Sequence, residues 1–350
     1  MKKSKKMLRN LALFVILIFI TFSIVFKNED LSKVWEIVLA SNKKYFLAGV
    51  IAMFLYFFFE AINIDSVLKT LGQRLSIWRG TKYTLLGFFF SAITPASTGG
   101  QPMEIYYMHK EGISVSDGTV ALLIELCCYQ IVTIILGIIG AILHFSLIKN
   151  GLLFLFLLGT FLCGCALFIM LVGLFSKTLT SKLINFSIRV MKFFKIKNIE
   201  EKELKIRGEL NKYHSSSEYI KSHKFLFVKS IFIVLIQMIC LYSVTYFVYR
   251  ALGFNDYSLI EIVLIQSMFH STVSSIPLPG TIGISEFVFM KMFKNVFSEN
   301  VVGSAMLLSR GISFYFTFIV SAIFLIIHSI KNHILFPDDE DVERITLLGE

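Results

Sequence analysis

The sequence predicts an all-α integral membrane protein with about six full transmembrane helices. Two re-entrant hairpins of broken helix complete it, arranged as an inverted repeat. Three observations carry this reading. The 350-residue chain is 55% hydrophobic and only 17% charged, well under the roughly 25% charged of globular chains, with a mean hydropathy of +0.73. Six apolar stretches approach or exceed the roughly 20 residues that cross a bilayer. Two further apolar stretches are interrupted by proline and glycine.

The first apolar stretch, Met7–Phe26, follows the basic "MKKSKKMLRN". It is too long for a signal peptide, and "FSIVFKNED" offers no small-residue cleavage site, so it reads as an uncleaved span with its N-terminus inside. Phe46–Ile64 returns to a loop carrying Lys69, Arg74, Arg79 and Lys82. Ala121–Ile148, Leu152–Phe175, Phe225–Tyr249 and Val301–Ile330 supply the remaining full spans.

Between the second and third spans lies "LLGFFFSAITPASTGGQPMEIYYM" (Leu85 to Met108). A helix broken in hydrocarbon leaves backbone N–H and C=O groups unpaired, at several kcal/mol each, unless protein or a hydrated cavity surrounds the break. Charge decides how to read it. Ser176–Lys224 holds twelve lysines and arginines against five glutamates, which assigns it to the cytoplasm. Crossing counts place it there only if Tyr83–Lys110 dips in and returns to the same side. Pro95 and the Gly99–Gly100 pair suit such a turn.

A second break, "VLIQSMFHSTVSSIPLPGTIGISEFVFMKMF" (Val263 to Phe293), enters from the opposite face on the same count, although Lys291 and Lys294 then fall outside. Pro95, Glu104 and Met108 repeat their spacing in Pro277, Glu286 and Met290, as an inverted repeat would. Transporters build midplane sites from such half-helix ends. The expected organisation is a membrane domain over 1–335, followed by a short acidic cytoplasmic tail over 336–350.

Within the basic segment, Leu179, Leu183, Phe186, Val190 and Phe193 recur at helical spacing. Leu179–Lys197 therefore reads as an interfacial helix on anionic lipid. The net charge of +10 is confined to such loops, with no basic patch interleaved with stacking aromatics, so no nucleic acid is expected as a partner unless the protein is a transferase. Cys127, Cys128, Cys163, Cys165 and Cys240 all lie in apolar spans, where a thiol acts as a small hydrophobe. No metal, cofactor or nucleophile–base motif emerges.

The candidate binding residues come from both breaks and from charge buried in the spans. Gly99, Gly100 and Gln101 open one half-helix, and Gly280, Thr281 and Gly283 the other. Their N–H groups and the helix dipole suit a phosphate, while a bare turn or close packing is the simpler use of the same glycines. Glu60, Glu125, Glu286 and Arg310 cost about 2.5–3.5 kcal/mol each deep in lipid, so they pair or line a pathway. Arg310 can fork onto two phosphate oxygens or hold a glutamate. His109 and His270 are weaker candidates.

"TPASTGGQPMEIYYM", "PLPGTIGISEFVFMKMF" and "LLSRGISFYF" together resemble the membrane region of the lysylphosphatidylglycerol synthase/flippase family. The resemblance runs from about Met7 to Lys331. It places Pro95, Gly99, Glu125, Pro277, Pro279, Gly280, Gly283, Glu286 and Arg310 on family-type positions. This chain departs from the family where it carries Gly100, Gln101 and Glu104 after the first proline, and Glu125-Leu126 in place of a Glu-Arg pair. The resemblance implies a bacterial cytoplasmic membrane protein that moves a phospholipid, aminoacylated phosphatidylglycerol among them, or a lipid-linked headgroup between leaflets. Its alternatives are phosphatidylglycerol lysyltransferase activity, or service as the membrane subunit of a separate synthase or glycosyltransferase. The transferase step resides in a soluble domain of two-part members, and the sequence ending in "FPDDEDVERITLLGE" leaves no room for one, so transport is the expected activity.

Overall fold

The computed structural model describes residues 36, 39–94, 98–149, 151–193, 199–273 and 284–332. The first expected span and the acidic tail lie outside them, as do Pro95, Pro277, Pro279, Gly280 and Gly283. Among the described residues the protein is helical, without strands.

Helix α1 spans Lys43–Thr70, α2 Ile77–Ile93, α3 Gly100–Lys110, α4 Val115–Leu143 and α5 Leu153–Phe175. Then come α6 (Lys177–Phe193), α7 (Ile199–Ser222), α8 (Lys224–Ala251), α9 (Leu259–Val273) and α10 (Ile284–Phe293). The last rod begins as α11 (Val302–Arg310), passes through one π turn at Gly311–Phe316 and ends as α12 (Thr317–Asn332). Five of these are long and apolar enough to cross a membrane: α1, α4, α5, α8 and the last rod. They coincide with five of the six full spans read from the sequence. Exposed Ile142, Phe154, Phe161, Phe168 and Phe232 stud their outer faces, which is the arrangement for helices solvated by lipid.

The helices start and stop for local reasons. Asn42 accepts a hydrogen bond from the Lys44 N–H at the head of α1, and Ser114 one from the Asp117 N–H at the head of α4, satisfying orphan donors. Gly112, at φ 89°, turns the chain after α3, a conformation that favours glycine.

Among the described residues, α1 and α8 form the most extensive contact, and α4 lies against both. The packing depends on small residues, as it does where lipid supplies no hydrophobic drive between helices. A Cβ on Gly137 would stand 2.2 Å from Ser271 Oγ, one on Gly140 2.5 Å from the Leu264 carbonyl, and one on Gly159 2.4 Å from the Ser271 carbonyl. These glycines let α9 seat between α4 and α5.

The basic segment differs from its reading as a loop with one helix. α6 is present over Lys177–Phe193, but Ile199–Ser222 is a second helix, α7. Ile184, Ile188 and Met191 of α6 pack on Ile206 of α7, whereas Leu179, Leu183 and Phe186 stay exposed.

Candidate functional site

The first break is a tight helical hairpin. α2 ends at Ile93, where Thr94 Oγ1 donates to the Phe90 carbonyl at 2.7 Å and accepts from the Gly99 N–H at 2.9 Å. α3 then runs back along α2. Contact is close enough that a Cβ on Gly100 would lie 2.1 Å from Ser91 Oγ, and one on Gly99 2.6 Å from Thr94 Cγ2. This crowding gives both glycines a packing reason for being glycine. Gln101 is part-buried beside them.

One turn into α3, Glu104 is 4% exposed, and its carboxylate lies directly on Gly87 of α2. A Cβ at Gly87 would stand 2.0 Å from Glu104 Oε1. Glu104 is within electrostatic reach of Glu60 on α1 and Glu125 on α4. Three carboxylates from three helices, one of them contributed by the hairpin, thus lie within electrostatic reach of one another. Gln237 of α8, fully buried, donates from Nε2 to Glu125 Oε1 at 3.4 Å. Among the described residues, Glu104 Oε2 and Gln237 Oε1 are buried without a hydrogen-bond partner. Unsatisfied polar atoms at this depth each cost about 1–3 kcal/mol.

Four residues along α4 from Glu125, the Tyr129 hydroxyl shares a hydrogen bond with His270 Nε2. His270 lies on α9, the helix leading into the second break, and its ring stands 5.6 Å from that of Tyr242 on α8. Tyr56, Glu60, Tyr129 and His270 lie deep among the helices yet remain part-exposed. His109, by contrast, is exposed at the end of α3, where Nδ1 meets the Ile113 carbonyl at 3.2 Å.

The second constellation pairs α10 with the last rod. Arg310 Nη1 donates to Glu286 Oε1 at 2.8 Å, and Nη2 donates to Ser285 Oγ. The pair is part-open, with side-chain exposures of 22% and 30%. The π turn begins at the next residue, Gly311, and single π turns inside α-helices are frequent at functional sites. At its end, Phe316, with Thr317 and Val320 beyond, lines a small apolar crevice with Met53, Phe57 and Leu85.

Sequence reasoning did not find Asp117 as a structural hub. Its carboxylate accepts from Ser114 Oγ at 2.6 Å, Ser216 Oγ at 2.7 Å and Gln73 Nε2 at 3.2 Å. Gln237 and Gly87 were also missed, because nothing local distinguishes a glutamine or glycine that meets a carboxylate from another helix.

Among the described residues, an all-helical assembly of long apolar rods with glycine-mediated packing and carboxylates buried among the helices defines an all-α membrane protein. The chain belongs to the lysylphosphatidylglycerol synthase TM region family, whose model matches residues 9–321. It is also similar to a protein of Archaeoglobus fulgidus described as UPF0104 membrane protein. The two are 21% identical over 308 residues, covering 86% of this chain and 92% of the relative.

Proposed function

We propose that this protein transports a lipid between the leaflets of the membrane, receiving its phosphate at Arg310. The observation that carries the reading is the Arg310–Glu286–Ser285 group beside the π turn. A guanidinium so deep in an apolar chain needs an anionic partner. Glu286 supplies one while part of Arg310 stays open. A phosphate can bind two N–H groups in parallel, geometry that suits a guanidinium and not an ammonium. The family's description favours phosphatidylglycerol and its aminoacylated forms as the lipid class.

Two substitutions test the role of Arg310. In Arg310→Lys the charge that compensates Glu286 remains, so the protein stays folded while lipid exchange in vesicles falls at least several-fold. In Arg310→Ala, Glu286 loses this cation and stability falls, by less than the roughly 3–5 kcal/mol of a fully buried pair because the site is part-open. Unimpaired exchange in both variants would remove Arg310 from the transport site.

A further inference from the structure

We infer that Glu60, Glu104 and Glu125 form an exchangeable proton-binding site, linked through Tyr129 to His270 at the entrance to the second break. Three carboxylates, from α1, α3 and α4, lie within electrostatic reach of one another. Among the described residues, the charges acting on Glu60 and Glu104 are the other carboxylates of the cluster. Like charges within reach of one another and out of bulk water favour taking up a proton or another cation. The second observation is independent of the charge count. Gln237 is fully buried beside Glu125 with its Oε1 unpartnered, and Glu104 Oε2 is unpartnered as well.

A proton is the cation that fits. Among the described residues no group of three acidic, histidine or cysteine side chains converges as metal ligands must, whereas a proton needs a single oxygen. A proton taken from water converts one carboxylate to a carboxylic acid, whose O–H can donate to a neighbouring oxygen left without a partner. From Glu125 the next group along the same helix face is Tyr129, which is within electrostatic reach of both Glu125 and Glu60. Its hydroxyl can accept a proton on one side and pass its own to His270 Nε2 on the other. His270 then releases a proton to water, so one enters, one leaves and no other reactant is needed.

The other titratable groups facing the cluster are Tyr56 on α1, Cys127 and Cys128 beside Glu125 on α4, Cys163 on α5 and Tyr242 on α8. None of them carries a permanent positive charge. The cluster joins the α2–α3 hairpin, through Glu104, to the helix that enters the second break, through His270. Protonation is thereby placed to be felt at both breaks. The inference rests on the lipid-transport reading only for what the proton drives.

The test uses the full chain in vesicles of phosphatidylglycerol and phosphatidylethanolamine. Infrared difference spectra between acidic and neutral buffer report protonated carboxyl groups directly. The wild type should show a carboxyl band that shrinks in Glu104→Gln and Glu125→Gln, with folding of each variant checked by thermal unfolding. Tyr129→Phe should keep the band but slow its appearance after a pH jump at least several-fold. Spectra unchanged in both Gln variants would overturn the proposal, as would a band that follows sodium and ignores pH. Carboxyl bands that behave as expected without any lipid exchange in the same vesicles would support the proton site and overturn the lipid reading.

Discussion

Gly87 and Glu104 show how one missing side chain can create a site. The Glu104 carboxylate occupies the space where a Gly87 Cβ would be, so Gly87→Ala must displace it. Overpacking of this kind costs about 1–3 kcal/mol. In a Glu104→Ala background the obstacle is gone and the same substitution should cost much less. A double-mutant cycle by thermal unfolding in detergent measures that coupling. Additive losses would show that the carboxylate is not held against Gly87. The sequence made Glu104 visible, because a glutamate in an apolar hairpin needs a reason. It could not show Gly87, because the contact joins two limbs that no local pattern relates.

At the scale of elements, α7 is the part of the fold least legible beforehand. Ile199–Ser222 is polar on nearly every face, so no apolar periodicity announces a helix. It is supported by Glu203 and Arg207, four residues apart and 2.9 Å from each other, the spacing that stabilises exposed helices. It is also docked by long-range bonds. Ser216 and Asp117 meet at 2.7 Å, Ser116 Oγ donates to the Glu209 carbonyl at 2.8 Å, and Tyr213 donates to the Gly173 carbonyl at 2.8 Å. Asp117→Ala leaves the Ser114, Ser216 and Gln73 donors without their acceptor, for a loss of about 1–3 kcal/mol. Hydrogen exchange should rise first along α7. Unchanged protection there would mean that Asp117 does not hold it.

The α6–α7 contact should also respond to pH. Thr180 Oγ1 and His214 Nε2 lie 2.7 Å apart, and burial, aided by Lys177, holds the His214 imidazole below its usual range. A histidine with a depressed folded value favours the neutral form. Its contribution is complete above the unfolded value of about 6.5 and declines as pH falls below it. Exchange across the α6–α7 contact, corrected for intrinsic rates, should therefore increase from about pH 7.5 to about pH 5.5. His214→Gln should flatten that dependence. An increase of the same size in the variant would assign it elsewhere.

For the molecule as a whole, the long spans were legible because length and apolarity alone define them. The first break was legible because Pro95 and the glycines interrupt an otherwise continuous apolar run. The meeting of Glu60, Glu104 and Glu125 was not, since it depends on how α1, α3 and α4 pack. Charge asymmetry carries one further expectation, that both termini and Ser176–Lys224 face the cytoplasm while Asn28–Lys43 faces outward. In a cysteine-free background, an impermeant thiol reagent applied to intact cells should label Asp30→Cys and spare Glu200→Cys. The reverse pattern would invert the topology.

Lipid exchange by the purified protein tests the central claim most directly. Vesicles carrying a fluorescent phosphatidylglycerol in both leaflets are treated with a membrane-impermeant quencher, with and without protein. Wild-type protein should let quenching proceed beyond the outer leaflet, and Arg310→Lys, folded to the same extent, should stop it near the outer-leaflet fraction. Quenching confined to the outer leaflet with folded wild-type protein, or equal exchange in wild type and Arg310→Lys, would contradict the account.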